Sequence, residues 1–403
     1  MMYKVFEHYP ISQRIVIFLF VFDLFAWLVA PFSKYYVSHI EVYSDLACLA
    51  SLIFLGNGIC SGKNIEISVY YFFVCIAIII IPVFLYGDTP FVAVLSKLIF
   101  AISFISLKAR HKWTIYRVFV RILSIILFLG IIEWILYLFG LNFFWAIVER
   151  NGVQPFYQGI FILMPTYSFE GYARFMSLCT EPGGLGTLCF FLLTTLDYHQ
   201  YKKEFLVLLT AGLLSFSLGF YVLIGSWVLI QRRKFALSQY ALSAIAVVLM
   251  LTLFGKFFEE RIVERVSGRS FEQIDNRVDE NVDRKFQEIS KDSRIFIGMG
   301  NRTFYEWRDQ VGGVSAGVKS FIMQYGLVGL MLLIIGFSSL IMKVRGINTN
   351  TIILLIFVWI AFYKSIIWNN PPLLLPLLTV PIDEMMQLKA RSKSNGIKTK
   401  VKA

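Results

Sequence analysis

The sequence predicts an all-α protein that crosses a lipid bilayer many times, and three observations carry that expectation. Of 403 residues, 57% are hydrophobic and 16% charged, with a mean hydropathy of +0.68. Soluble domains carry about 25% charged residues, and a soluble chain this apolar would expose large patches that monomers avoid. The apolar residues also fall in long runs, near the ~20 residues that a spanning helix needs. Basic residues collect in alternate connectors, as the excess of Lys and Arg on cytoplasmic loops requires.

Taken in order, the apolar runs are 15–32, 44–59, 67–85, 91–107, 118–139, 183–197, 205–230, 235–254, 318–342, 351–367 and 372–382. The first contains Asp23 and has no small-residue cleavage site before the next run, so it reads as a retained helix and not as a signal peptide. The run 205–230 is long for one helix, with Ser215, Ser217 and Gly219 near its middle. The run 372–382 is short and Pro-rich. Charge decides both. With Lys4 and Arg14 on the cytoplasmic side, the connectors bearing Lys63, Lys108 to Arg117, and Lys202 and Lys203 fall on that side too. A tight hairpin near 215–217 then brings Arg232, Arg233 and Lys234 back inside. A crossing by 372–382 brings in the basic tail, 383–403. The expectation is one membrane domain over 1–403, with about twelve spans and both termini cytoplasmic, or ten or eleven spans if a short crossing fails.

Two long loops follow on the outer, periplasmic side, 140–182 and 255–317. Counted to Lys319, the second holds 12 basic and 12 acidic residues, so it does not resemble a retained basic loop. Within it Phe271, Ile274, Val278, Val282, Phe286 and Ile289 recur at helical spacing. They predict an amphipathic helix over 271–289 that lies as a lid on the membrane surface or on the other helices.

The net charge of +12 is spread over short connectors, which argues against nucleic acid as a partner, while the Lys-rich tail reads as disordered and attracted to anionic membrane lipid. Cys48, Cys60, Cys75, Cys179 and Cys189 lie mostly in apolar runs without metal or haem spacing, so neither a metal site, a cofactor nor a disulfide framework is expected.

The most informative stretch runs from Arg174 to Thr187, Arg-Phe-Met-Ser-Leu-Cys-Thr-Glu-Pro-Gly-Gly-Leu-Gly-Thr, where the first outer loop meets a spanning helix. Glu181 before Pro182 suits a helix start, and a carboxylate there complements the helix dipole. The same carboxylate, at the mouth of a membrane cavity, is placed to take a proton from a hydroxyl. Within the spans, Lys97 and Glu133 fall at equal depth on consecutive helices and predict an ion pair, while Asp23 has no evident partner. Lys364 lies at the outer end of its run.

Arg174-Phe175, then Glu181-Pro182-Gly183 with Leu185-Gly186, a large late outer loop, Arg294-Ile-Phe-Ile-Gly-Met-Gly300 and Gln324-Tyr-Gly-Leu-Val-Gly329 together resemble the Wzy-type O-antigen polymerase family. The resemblance implies a fold of the GT-C membrane glycosyltransferase type. It also implies a substrate, an undecaprenyl-diphosphate-linked oligosaccharide, whose repeat units are joined on the periplasmic face of the bacterial inner membrane. A hydroxyl of one unit would attack the anomeric carbon of the growing chain and displace the diphosphate. In that scheme Glu181 is the catalytic carboxylate. Arg174, Arg294, Arg302 and Arg308 are candidates for the diphosphate, because forked guanidinium donors suit phosphate oxygens. A chain-length regulator and a flippase are the implied protein partners.

Two alternatives remain. The related O-antigen ligases carry a histidine in the late outer loop, whereas His8, His39, His111 and His199 all lie outside 255–317. A flippase or other secondary transporter would show two similar halves, and no internal repeat is evident.

Overall fold

The computed structural model describes residues 9–29, 40–55, 58–86, 91–141, 146–150, 154–165, 174–179, 181–231, 280–311, 317–364 and 370–379. The expected span 235–254, Arg261, Arg265 and Arg269, the first half of the amphipathic helix with Arg277, and the tail 383–403 lie outside the described residues.

The fold is mostly helical. In chain order come α1 (Ile11–Val29), α2 (Ile40–Leu55), α3 (Gly62–Tyr86), α4 (Phe91–Ser106) and α5 (Ala109–Leu138). A three-stranded antiparallel sheet follows, β1 (Ala146–Arg150), β2 (Gln154–Gln158) and β3 (Leu163–Pro165), in the first loop. Then come α6 (Pro182–Thr195), α7 (Lys202–Leu214), α8 (Leu218–Gln231), α9 (Glu280–Ser290), α10 (Arg294–Ile297) and α11 (Asn301–Gln310). The chain closes with α12 (Val318–Arg345), α13 (Thr349–Lys364) and α14 (Pro371–Leu378). Sequence reasoning gave no sign of the sheet, because β1 to β3 are short and their alternation is weak.

Ile11–Leu28, Gly62–Tyr86, Ala109–Leu138 and Val318–Arg345 are long and apolar enough to cross a bilayer. Shorter apolar helices are Val42–Leu55, Pro182–Thr195, Leu218–Ile230 and Thr349–Phe362. In hydrocarbon a segment must satisfy its own backbone, which long Leu-, Ile- and Phe-rich helices do. Many of their large side chains point outward, among them Phe18, Phe22, Phe54, Phe73, Phe84 and Phe128. This outward apolar surface is what lipid, not water, would cover.

The expected turn at 215–217 is present as a break. α7 ends at Leu214, α8 begins at Leu218, and both pack on α6. At the expected twelfth crossing the structure describes residues 370–379, of which Pro371–Leu378 are helical, about 12 Å long at 1.5 Å per residue. That is well short of a ~30 Å hydrocarbon core. All eight residues are buried, among α1, α4, α5, α6 and α12. Pro371 and Pro372 open the helix, and the Asn370 side chain accepts from the Leu373 amide. At its other end the buried Arg345 donates to the carbonyls of Pro376 and Thr379, at 3.0 and 2.6 Å. These bonds satisfy C-terminal carbonyls that an α-helix leaves open. A Pro-rich octamer therefore stands in the bundle as a buried post, tied to the end of α12.

The helix ends sort into two groups. At one end the starts of α1 and α5 join through Tyr9 Oη and Thr114 Oγ1 (2.8 Å) and through Gln13 and His111 (3.2 Å). Tyr116 reaches Thr195 near the end of α6 (2.9 Å), and Asn64 reaches the Leu107 carbonyl (2.6 Å). Lys343, near the end of α12, stands over the Tyr70 ring (3.6 Å). Lys108, Arg110, Arg117, Lys202 and Arg345 belong to the elements that meet here. The described loop segments meet at the opposite end.

Candidate functional site at the loop end of the bundle

Two assemblies form at the loop end. The first is built on α5 and the α7–α8 break. Glu133, near the end of α5 and 8% exposed, accepts the backbone amides of Ile160 (2.8 Å, Oε1) and Phe161 (2.7 Å, Oε2). The Phe161 carbonyl accepts from Ser177 Oγ (3.1 Å), and the Ser177 carbonyl accepts from the Leu163 amide (3.1 Å). The Phe175 amide donates to the Leu214 carbonyl (3.2 Å). Arg174 donates from Nε to the Ser215 carbonyl (3.2 Å) and from Nη2 to the Phe216 carbonyl (2.5 Å). These contacts terminate α7.

Ser177 (φ 48°) and Phe216 (φ 46°) both occupy the left-handed region. Side chains with a Cβ are rare there, and such strain clusters at functional sites. A Cβ on Gly186 would meet Phe220 Cβ, Ser215 Oγ and Ser217 Cβ at 3.0 to 3.1 Å, so the break packs directly on α6. Glu181 is exposed and sits one residue before α6, five residues from Gly186, in extended conformation (φ −146°, ψ 140°). Its side chain makes no capping hydrogen bond to that helix. Around Gly184 the space where a Cβ would stand is open. Arg174 and Glu181 thus belong to one assembly, the first tied to the break and the second at the start of the helix that the break touches.

The second assembly joins the two glycine elements singled out above. Gly326 interrupts α12 (φ 72°, ψ 177°), and Gly298 closes α10 (φ 81°). A Cβ at Gly326 would overlap the Phe296 carbonyl, and one at Gly298 would overlap the Gln324 carbonyl, so the two chain segments cross backbone against backbone. The Met299 amide donates to the Met323 carbonyl (2.7 Å), and Tyr86 Oη to the Gly298 carbonyl (2.6 Å). Val282 and Ile289 of α9, in the second half of the expected amphipathic helix, are buried with Met299, Phe304 and Met323. In the described half, then, the apolar face packs on other helices.

The predicted cations fare differently. Arg294 donates to Asp292 (2.6 Å) and lies 3.5 Å from Glu288. Hydrogen bonds from Arg294 hold the Asp292 carboxyl below its usual range, and Lys285, then Arg294, does the same for Glu288. Arg302 pairs with Glu306 (2.9 Å), and Arg308 stands over the Tyr305 ring (4.6 Å). Arg294 and Arg174 therefore sit on different supports, and no direct contact between them is described. In α9, Arg284 donates to Asn281 at 3.1 Å.

Inside the spans, the Lys97 and Lys364 side chains lie outside the described residues. Glu133 is taken up by backbone amides, a role that spacing along the chain does not signal. Asp23 has partners after all, the Ser44 hydroxyl and the Cys48 thiol (3.7 Å) of α2. The adjacent Asp45 accepts from Trp27 Nε1 (3.2 Å). Among the described residues no group of three His, Cys, Asp or Glu is placed to hold a metal ion.

The chain matches no protein-family model, no curated protein and no solved structure.

Proposed function

We propose that the chain is a membrane-embedded glycosyltransferase that joins polyprenyl-diphosphate-linked oligosaccharide repeat units, with the basic end of the bundle cytoplasmic and the loop end periplasmic. The observation that carries this reading is the Arg174–Glu181 segment, strained at Ser177, fastened to a helix break, and ending in an exposed carboxylate above an apolar bundle. A lipid-linked sugar diphosphate has its tail in hydrocarbon and its reacting carbon at that level. Glu181 takes the proton of, or orients, the attacking hydroxyl. Arg174, in the same segment, meets the leaving diphosphate, whose charge grows as the glycosidic bond breaks. Arg294 already carries Asp292 and Glu288, so it serves the diphosphate only by exchanging them. Arg302, the more exposed, and Arg308 are the other candidate second cations. The twelve-span topology and the GT-C relationship belong to the same proposal and rest on the resemblance and on charge.

Two observations bear on the alternatives. His111 and His199 both lie at the basic end, away from the loops, which disfavours a ligase. The buried Asp23 and Asp45 favour an ion-coupled transporter, since charges inside spans are usually functional. Deletion of the gene in its host separates the three. A surface-polysaccharide ladder that collapses to a single repeat unit supports the polymerase. Retention of full-length polymer on the lipid carrier supports the ligase, and accumulation of single units on the cytoplasmic face supports the transporter.

A further inference from the structure

The outer end of α5 does more than span. Gly130, Glu133 and Trp134 each hold a piece of the first loop. A Cβ on Gly130 would stand 3.2 Å from the Phe161 carbonyl, so the 159–162 turn lies directly on the helix. The Trp134 ring meets Phe175 edge to face at 6.2 Å. Between them the Glu133 carboxylate accepts both turn amides, one on each oxygen. A Cβ at Gly159 would overlap that carboxylate, so only glycine admits this approach. Bonds of amides to a carboxylate are charge-assisted, and with Glu133 buried, water does not replace them.

The turn is the first link of a relay. Phe161 accepts from Ser177, Ser177 accepts from Leu163, and Arg174 three residues earlier grips the 215–217 break. From these contacts we infer that Glu133 is a positioning residue for the candidate site. It fixes the 159–162 turn, and through Ser177 it holds the Arg174–Glu181 segment in its strained conformation. The inference rests on the proposed function for what the segment does, but not for the holding itself.

The test uses the full chain in nanodiscs. Glu133→Gln preserves size, keeps one acceptor and sets an NH2 against the second amide. Hydrogen exchange is read at 159–163 and 174–179, with α5 and α6 as internal controls. Polymer formation from lipid-linked repeat units is measured in parallel. Expected are about tenfold faster exchange in both segments with the controls unchanged, and kcat down by about tenfold or more with KM within about threefold, since misplacement of reacting groups is costly. Ser177→Ala, which cuts the relay without touching the buried carboxylate, is expected to speed exchange at 174–179 and lower kcat likewise. It carries the test if Glu133→Gln loosens the control helices. Unchanged exchange at 174–179 in the informative variant overturns the inference. So does faster exchange with unaltered kcat. If the wild-type chain forms no polymer, the proposed function falls, and the exchange results alone decide whether Glu133 holds the segment.

Discussion

At the scale of single residues, the structure turns several charged side chains into backbone partners. Arg174, Glu133 and Arg345 each satisfy amides or carbonyls at a helix end or a tight turn. Arg345→Ala would leave the Pro376 and Thr379 carbonyls open in a buried setting, at about 1–3 kcal/mol for each buried unsatisfied group. We expect a marked fall in thermal stability of the purified chain, read by intrinsic fluorescence, and Arg345→Lys should restore only part of it. At Arg174, Ala and Lys separate two roles. Lys keeps the charge but loses the forked donors. If the guanidinium both caps α7 and meets diphosphate, Arg174→Lys should lower polymer formation by about 10- to 100-fold. Membrane abundance should stay near normal, as an immunoblot would register. Spacing around Pro182 and the glycines singled out Arg174 and Glu181 in the sequence, but not the hold of Arg174 on the Ser215 and Phe216 carbonyls. The partners of Glu133 were not legible either, because they are main-chain amides 27 and 28 residues away.

At the scale of elements, breaks matter more than lengths. The Ser215, Ser217 and Gly219 cluster marked one break in advance, since these residues weaken a helix and tolerate a turn. The break in α12 at Gly326 was hidden inside a continuous apolar run. The glycine element at 324–329 was singled out only for its resemblance, and its pairing in space with Gly298 came from the structure. At φ 72°, ψ 177° Gly326→Ala adds about 1–3 kcal/mol of backbone strain, plus the overlap with the Phe296 carbonyl. It is expected to release α10 from α12, seen as protease cleavage within 294–300 that the wild type resists. The apolar run at 372–382 is described only to Thr379, as a helix packed among other helices. Hydropathy registers burial, and a helix buried among other helices is as apolar as one facing lipid.

At the scale of the whole molecule, among the described residues, the helix ends bearing Lys108, Arg110, Arg117, Lys202 and Arg345 meet at one end and the described loop segments at the other, and the charge of the connectors proposes the first as cytoplasmic. A single cysteine replacing Lys202 should resist a membrane-impermeant thiol reagent in intact cells, and one replacing Lys291 should react. The reverse pattern would invert the bundle. The account's central claim is that this loop end joins sugar units released from a lipid diphosphate. Its most direct measurement is reconstitution of the purified chain with undecaprenyl-diphosphate-linked repeat units. The account predicts a ladder of lengthening products, one undecaprenyl diphosphate released per bond formed, and loss of both on Glu181→Gln or Arg174→Ala. Folded protein that yields no lengthened product, or a ladder that survives both substitutions, would contradict it.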